Sequence, residues 1–144
     1  MLELDYMLIA DYVRADNGRV HIMSAGIDTV FTPMVPTVQP LGIAVRIFFD
    51  NLEEVGAEHH LSIAFQTADG ARLLQAVSTF STPPRPAGVP DHWRTSAGIA
   101  IQIPVPLPDY GDYSFELDID DGDVTKSIDI RVIQPPGASG ATAA

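Results

Sequence analysis

The sequence predicts an all-β fold: a single antiparallel β-sandwich of about eight strands, immunoglobulin-like or jelly-roll-like. Three observations predict it. Apolar residues alternate along stretch after stretch, as in Ile43, Val45, Ile47 and Phe49, or Tyr113, Phe115, Leu117 and Ile119; alternation is the mark of a strand with one buried face. No window carries a convincing helical period; "NLEEVGAEHHL" is short and broken by Gly56. Three pairs, Asn17-Gly18, Asp69-Gly70 and Asp121-Gly122, sit between alternating runs, and such pairs favour the positive φ angles of tight hairpins. Short antiparallel strands of this kind pack as a sandwich, with a meandering barrel as the alternative.

The first two strands, near 4–15 and 19–31, meet at Asn17-Gly18. That register sets Val13 against Ile22 and Asp11 against Ser24, on the side expected to face the core. A carboxylate there needs hydrogen-bond partners, so Asp11 reads as a structural acid. Asp28, after an expected bulge at Gly26, reads the same way. "TPMVPTVQP" is expected to cross between sheets as an extended, unpaired link, because proline lacks the N–H of a ladder. A strand near 41–50 follows. Strands near 58–68 and 71–80 close through Asp69-Gly70, with Phe65 facing Leu74 and Leu61 facing Ser78. "STPPRPAGVPDHW" is a proline loop. The strand near 95–105 carries Ala97, Ile99, Ile101 and Ile103 and is ended by Pro104, Pro106 and Pro108. The strands near 112–120 and 123–133 close the sandwich, and Phe115, Leu117, Ile99, Ile101, Ile63 and Phe65 form its expected core. Residues 1–133 make one domain; the small, polar residues 134–144 read as a flexible tail.

Composition bounds the function. A chain of 144 residues suits one domain and buries about two-thirds of its unfolded surface. The formal charge of −11 argues against nucleic acid and anionic membranes as partners. The sequence has no cysteine, which excludes disulfides, thiolate metal sites and a cysteine nucleophile. The start, "MLELDYMLIADYV", has no basic segment and places acids within its apolar stretch, so it reads as neither signal peptide nor membrane span. A cytoplasmic protein is the expectation.

The run "LIADYVRADNGRVHIMSAGIDTVFTPMVP", the strand "LGIAVRIFF" and the later "YGDYSFELDIDDGDVTKSIDIRVI" together resemble a family of small bacterial proteins of unknown function, mostly actinobacterial. The resemblance covers most of residues 4–133. It implies a single cytoplasmic β-sandwich domain, and it brings no activity and no functional residues.

The densest cluster of acids is "LDIDDGDVTKS", with Asp118, Asp120, Asp121 and Asp123 around Gly122. A helix–loop–helix calcium loop needs glycine at its sixth position and a bidentate glutamate at its twelfth. Counted from Asp118 or from Asp120, both requirements fail. A hairpin does better, since it sets Ile119 against Val124, Phe115 against Ile128 and Tyr113 against Ile130 on one apolar face. It also opposes Asp120 to Asp123, an unfavourable pairing of like charges. A solvated acidic strand end is therefore expected, with calcium as the weaker alternative. Removing the charge at 120 is expected to leave stability unchanged or raise it.

Other chemistry is sparse. His59 and His60 are neighbours on a strand and point to opposite faces, so they do not clamp one metal. No histidine pair has metal-ligand spacing, no cofactor is implied, and no nucleophile stands in a known catalytic pattern. "PPRP", with Arg85 between prolines and Trp93 close behind, is either a ligand for a domain that grips polyproline helix or a stiff loop whose tryptophan plugs one end of the sandwich. Phe48, Leu73 and Val77 are each an odd step from the inward series of their strands. If those strands share a sheet, the three form an exposed apolar face that marks a contact with another protein or with a second copy; otherwise a neighbouring loop or the N-terminal strand covers it. The expected function is a non-enzymatic interaction module, with a calcium- or small-ligand-binding sandwich as the alternative.

Overall fold

A computed structural model describes residues 2–137. The last residues of the expected tail, 138–144, lie outside the described part. Among the described residues, nine strands run in order: β1 Leu2–Asp16, β2 Arg19–Ala25, β3 Thr29–Phe31, β4 Thr37–Phe49, β5 Glu58–Thr67, β6 Arg72–Ser81, β7 Thr95–Leu107, β8 Gly111–Ile119 and β9 Val124–Ile133. They form two sheets, ordered β2-β1-β4-β7 and β3-β9-β8-β5-β6. Between them lie Ile9, Leu41, Ile43, Ile47, Phe49, Leu61, Ile63, Phe65, Phe115 and Leu117, all nearly fully buried. Phe65 lies against Phe115, with ring centroids 4.8 Å apart, and stacks on Tyr113. Of the expected core, Ile99 and Ile101 alone stay half-exposed, because β7 is an edge strand.

The alternating pattern fixes the hairpin registers as expected. Val13 pairs with Ile22, Phe65 with Leu74, Leu61 with Ser78, Ile119 with Val124, Phe115 with Ile128 and Tyr113 with Ile130. Asn17 and Gly18 form the two-residue turn with φ of 49° and 75°. The Tyr113 hydroxyl donates to the carbonyl of Asp109 (2.6 Å) and accepts from its N–H (3.1 Å). This tie back to a residue just upstream of the strand is a known corner device of β-sandwiches.

Four details differ from the sequence reading. The expected strand 19–31 is two strands. At Gly26 (φ 84°) the chain leaves the first sheet, and β3 pairs parallel to β9 in the second. The proline link is paired over its second half, where Thr37–Pro40 runs beside Pro104–Leu107. Pro40 opposes Pro104, and Val38 opposes Pro106. These pairs recur every second residue, so all three prolines occupy ladder positions whose N–H points away from the neighbouring strand, where none is needed.

Asp11 is exposed, not inward. The β1–β4 pairing ends at Ala10–Gly42, and beyond it the β1–β2 hairpin folds over the outer face of β4 and β7. Val13 and Ala10 cluster there with Ala44, Val20 and Ala100. Gln102 holds the bend: its Oε1 accepts from the Val13 N–H (3.0 Å) and its Nε2 donates to the Asp11 carbonyl (3.2 Å). Asp28 is likewise exposed, its carbonyl accepting from the Arg131 N–H (2.8 Å). The fourth difference is a bulge in β6, described below.

Candidate functional site

The acidic turn is built by its backbone. Asp120, Asp121 and Gly122 all have positive φ, at 53°, 54° and 100°. The ladder stops at Ile119–Val124, and Asp120 leaves the plane of the hairpin toward β5. It therefore does not oppose Asp123. Its N–H donates to the His60 carbonyl (2.9 Å), and its Oδ1 accepts the His60 N–H (2.9 Å). Its Oδ2 lies 2.7 Å from His59 Nδ1. A carboxylate accepts only, so Nδ1 carries the proton. In the neutral ring, Nε2 then accepts from the Thr82 hydroxyl at 2.9 Å.

His59, at 6% exposure, and Thr82, at 4%, are among the few buried polar residues. Phe80 stacks on the imidazole and Phe49 tilts against it. Burial opposes the charge of Asp120, yet the His60 N–H and the His59 ring outweigh it and hold its pKa below the ordinary aspartate value. The expectation that losing this charge is neutral or favourable is thus corrected: Asp120 anchors the turn to β5.

The other acids are dispersed. Asp118 Oδ1 accepts from the Gly122 N–H (3.0 Å), while Asp121 and Asp123 are exposed. Among the described residues, no three histidines, aspartates or glutamates stand close enough to share a metal ion. A cavity of about 410 Å³ beside the turn is lined by Leu2, Glu53, His59, Asp120 and Asp123. A groove of about 430 Å³ on the outer face of the second sheet is lined by His60, Ser62, Val77, Thr79, Asp118 and Asp121 among others.

The expected apolar face does not form. Phe48 lies on β4 in one sheet; Leu73 and Val77 lie on β6 in the other. Phe48 is capped by the guanidinium groups of Arg46 and Arg94, 4.8 and 4.1 Å from its ring centre. Leu73 is the bulged residue: Phe65 pairs with Leu74 but Gln66 with Arg72. The bulge turns it inward, half-buried against the core. Val77 remains outward and is 76% exposed. Trp93 does not plug the sandwich; it is 58% exposed. The proline loop is stapled by Arg85, whose Nη2 donates to the carbonyls of Pro90 (2.5 Å) and Trp93 (2.8 Å).

Apolar surface gathers instead where the sandwich is open. β6 and β7 are edge strands and contact each other. Their inward rows, Leu74, Ala76 and Phe80 on one and Ile99, Ile101 and Ile103 on the other, are only half-buried. The alternation named Leu74, Ile99, Ile101 and Ile103 as inward, but it gave no sign of which strands would end a sheet.

Comparison with curated proteins found no match. Among solved structures, the C-terminal domain of wzt is similar with a TM-score of 0.50 and 15% identity, over 93% of this chain and 74% of that one. The CARDB domain of the PF1109 protein of Pyrococcus furiosus, solved with di-metal ions, is similar with a TM-score of 0.43 and 13% identity, over 92% of this chain and 96% of that one. The first likeness supports the β-sandwich fold and nothing finer. A family model matches residues 5–133, nearly the whole described sandwich, and the chain belongs to that family, the family of unknown function DUF6941.

Proposed function

We propose that the chain is a non-enzymatic interaction module, a β-sandwich that binds another protein or a second copy along its open side. The observation that carries this reading is the pair of half-buried apolar rows on β6 and β7. Burying a large aliphatic side chain gains roughly 1.5–3 kcal/mol, so such a seam favours a cover. A non-catalytic role is supported by the Thr82–His59–Asp120 arrangement. It resembles a hydrolytic triad in its bonding, but its hydroxyl is enclosed and offers a substrate no approach. The calcium reading draws no support from acids that bond to backbone and imidazole or stand apart. A bacterial, cytoplasmic protein belongs to the same proposal, in keeping with a cysteine-free chain.

The test is a comparison of what co-purifies with the wild-type chain and with an Ile101→Asp/Leu74→Asp variant that keeps its circular dichroism spectrum. We expect the variant to lose a stoichiometric companion, whether a different protein or a second copy. Identical profiles, or a wild-type chain that is solitary at all concentrations, would reject the reading.

A further inference from the structure

The four sheet edges are not equally guarded. β3 has three residues, and β2 has seven with Ser24 in the left-handed region at φ 57°. In β7 the edge-facing positions run through Gly98, Ala100 and Gln102 to Pro104 and Pro106, so two edge donors are missing. β6 is different. It has ten residues with no proline or glycine, and Arg72 is its one charge. Its bulge at Leu73 and its charge at Arg72 both sit at the strand's start, which leaves residues 74–81 regular and uncharged; edges of that kind are templates for pairing, and proteins that avoid pairing block them.

The direction of its free bonds is fixed by the site described above. The His60 N–H and carbonyl both bond Asp120, on the β8 side of β5. Backbone direction alternates along a strand, so His59, Leu61 and Ile63 turn theirs to β6, toward Phe80, Ser78 and Ala76. The N–H and carbonyl groups of Gln75, Val77 and Thr79 are left facing the open edge. The loop after β6 bonds within itself and to Gly56 and Ala57.

We infer that β6 pairs antiparallel with β6 of a second copy about a two-fold axis through Val77, joining the two five-stranded sheets into one. This rests on the interaction reading and names its partner. In that register the three free residues pair with one another: Val77 with the partner's Val77, and Gln75 with the partner's Thr79 in both directions. About six main-chain hydrogen bonds result, two from each pair.

The side chains match as well. On the outer face valine meets valine and glutamine meets threonine. On the inner face the half-buried Leu74 meets the partner's Phe80, and Ala76 meets the partner's Ser78. Arg72 comes to the end of the partner strand where Glu58 stands beside Ser81. The contact is thus free of like-charge pairs on a chain whose net charge is −11. Isologous contacts of this self-complementary kind are the commonest route to a dimer.

The chain has no cysteine, so one introduced thiol reports the register. Val77→Cys at an exposed position is expected to form a disulfide-linked dimer on mild oxidation. Gln75→Cys, set against the partner's Thr79, is expected to cross-link at least about tenfold less. In sedimentation, the wild-type chain is expected to move from 15.5 kDa toward twice that mass as concentration rises, and Val77→Lys to remain monomeric, with a melting curve that matches the wild-type chain's at dilutions where that chain is monomeric. A wild-type chain that stays monomeric, or thiols at 75 and 77 that cross-link equally, overturns the inference. If the wild-type chain is monomeric yet holds a different protein that Val77→Lys releases, the second copy is the wrong occupant while the interaction reading stands. If it is monomeric and holds nothing, both fall.

Discussion

Asp120 stands where three strand ends meet: β5 through His59 and His60, β6 through Thr82 and β8 through its own turn. Hydrogen bonds to a charged group contribute about 1.5–3 kcal/mol, so Asp120→Asn is expected to lower stability by an amount in that range, measured by urea denaturation near neutral pH. The pH dependence has a definite sign. The folded pKa of Asp120 is depressed below the ordinary value of 3.8, because the His60 N–H and the His59 ring overcome its burial. Its contribution is therefore present above 3.8 and is lost as the pH falls through the lower folded value. Wild-type stability should drop more steeply than that of Asp120→Asn between about pH 5 and pH 2. Parallel curves would show that the pairing carries no linkage. None of this was legible in the sequence. The cluster of acids was visible, and the register beside it was right, but the partner of Asp120 lies 60 residues upstream. Alternation records which face a side chain takes, not which distant backbone group a turn residue will reach.

At the scale of elements, the pairings within hairpins were legible and the bends were not. Period-2 alternation and the turn pairs set all three hairpin registers, since a slip of one residue would send every apolar side chain to solvent. The bend of β1 depends on glycines whose role appears only in three dimensions. A Cβ at Gly98 would lie 2.5 Å from Val20 Cγ2, and one at Gly42 would lie 2.9 Å from the Val13 methyls. Both are needed for the β1–β2 hairpin to lie on the outer face of β4 and β7. Gly98→Ala is expected to cost about 1–3 kcal/mol, the usual range for overpacking. Val20→Ala added to it should restore part of the loss, giving a coupling that two independent substitutions would not show. The measurement is thermal or urea unfolding of the four corners of the cycle. Additive losses would mean that the hairpin does not rest on Gly98. The bulge that turns Leu73 inward escaped the sequence for a similar reason: a two-residue and a three-residue loop around Asp69-Gly70 fit the same alternation.

For the whole molecule, the decisive quantities are the charge of −11 and the absence of acids from one edge. Which strands close a sheet was not written in the pattern, because an inward apolar row looks the same on a central strand and on an edge. The assignment of Phe48 and Val77 to different sheets followed from topology alone. Charge then separates two kinds of occupant for the open side. Two copies of this chain repel over their whole surfaces, while the β6 contact between them is made mainly of main-chain bonds and uncharged side chains. Salt screens the repulsion over a distance of about 8–10 Å at physiological strength and leaves such a contact nearly untouched. Association between copies should therefore tighten as sodium chloride rises from about 20 to 500 mM, seen by sedimentation as a shift of the monomer–dimer midpoint to lower concentration. A basic partner drawn by the acidic surface would behave in the opposite way, with affinity falling across the same range. A midpoint that moves to higher concentration with salt would place attraction between charges, and not the neutral edge of β6, at the centre of the contact.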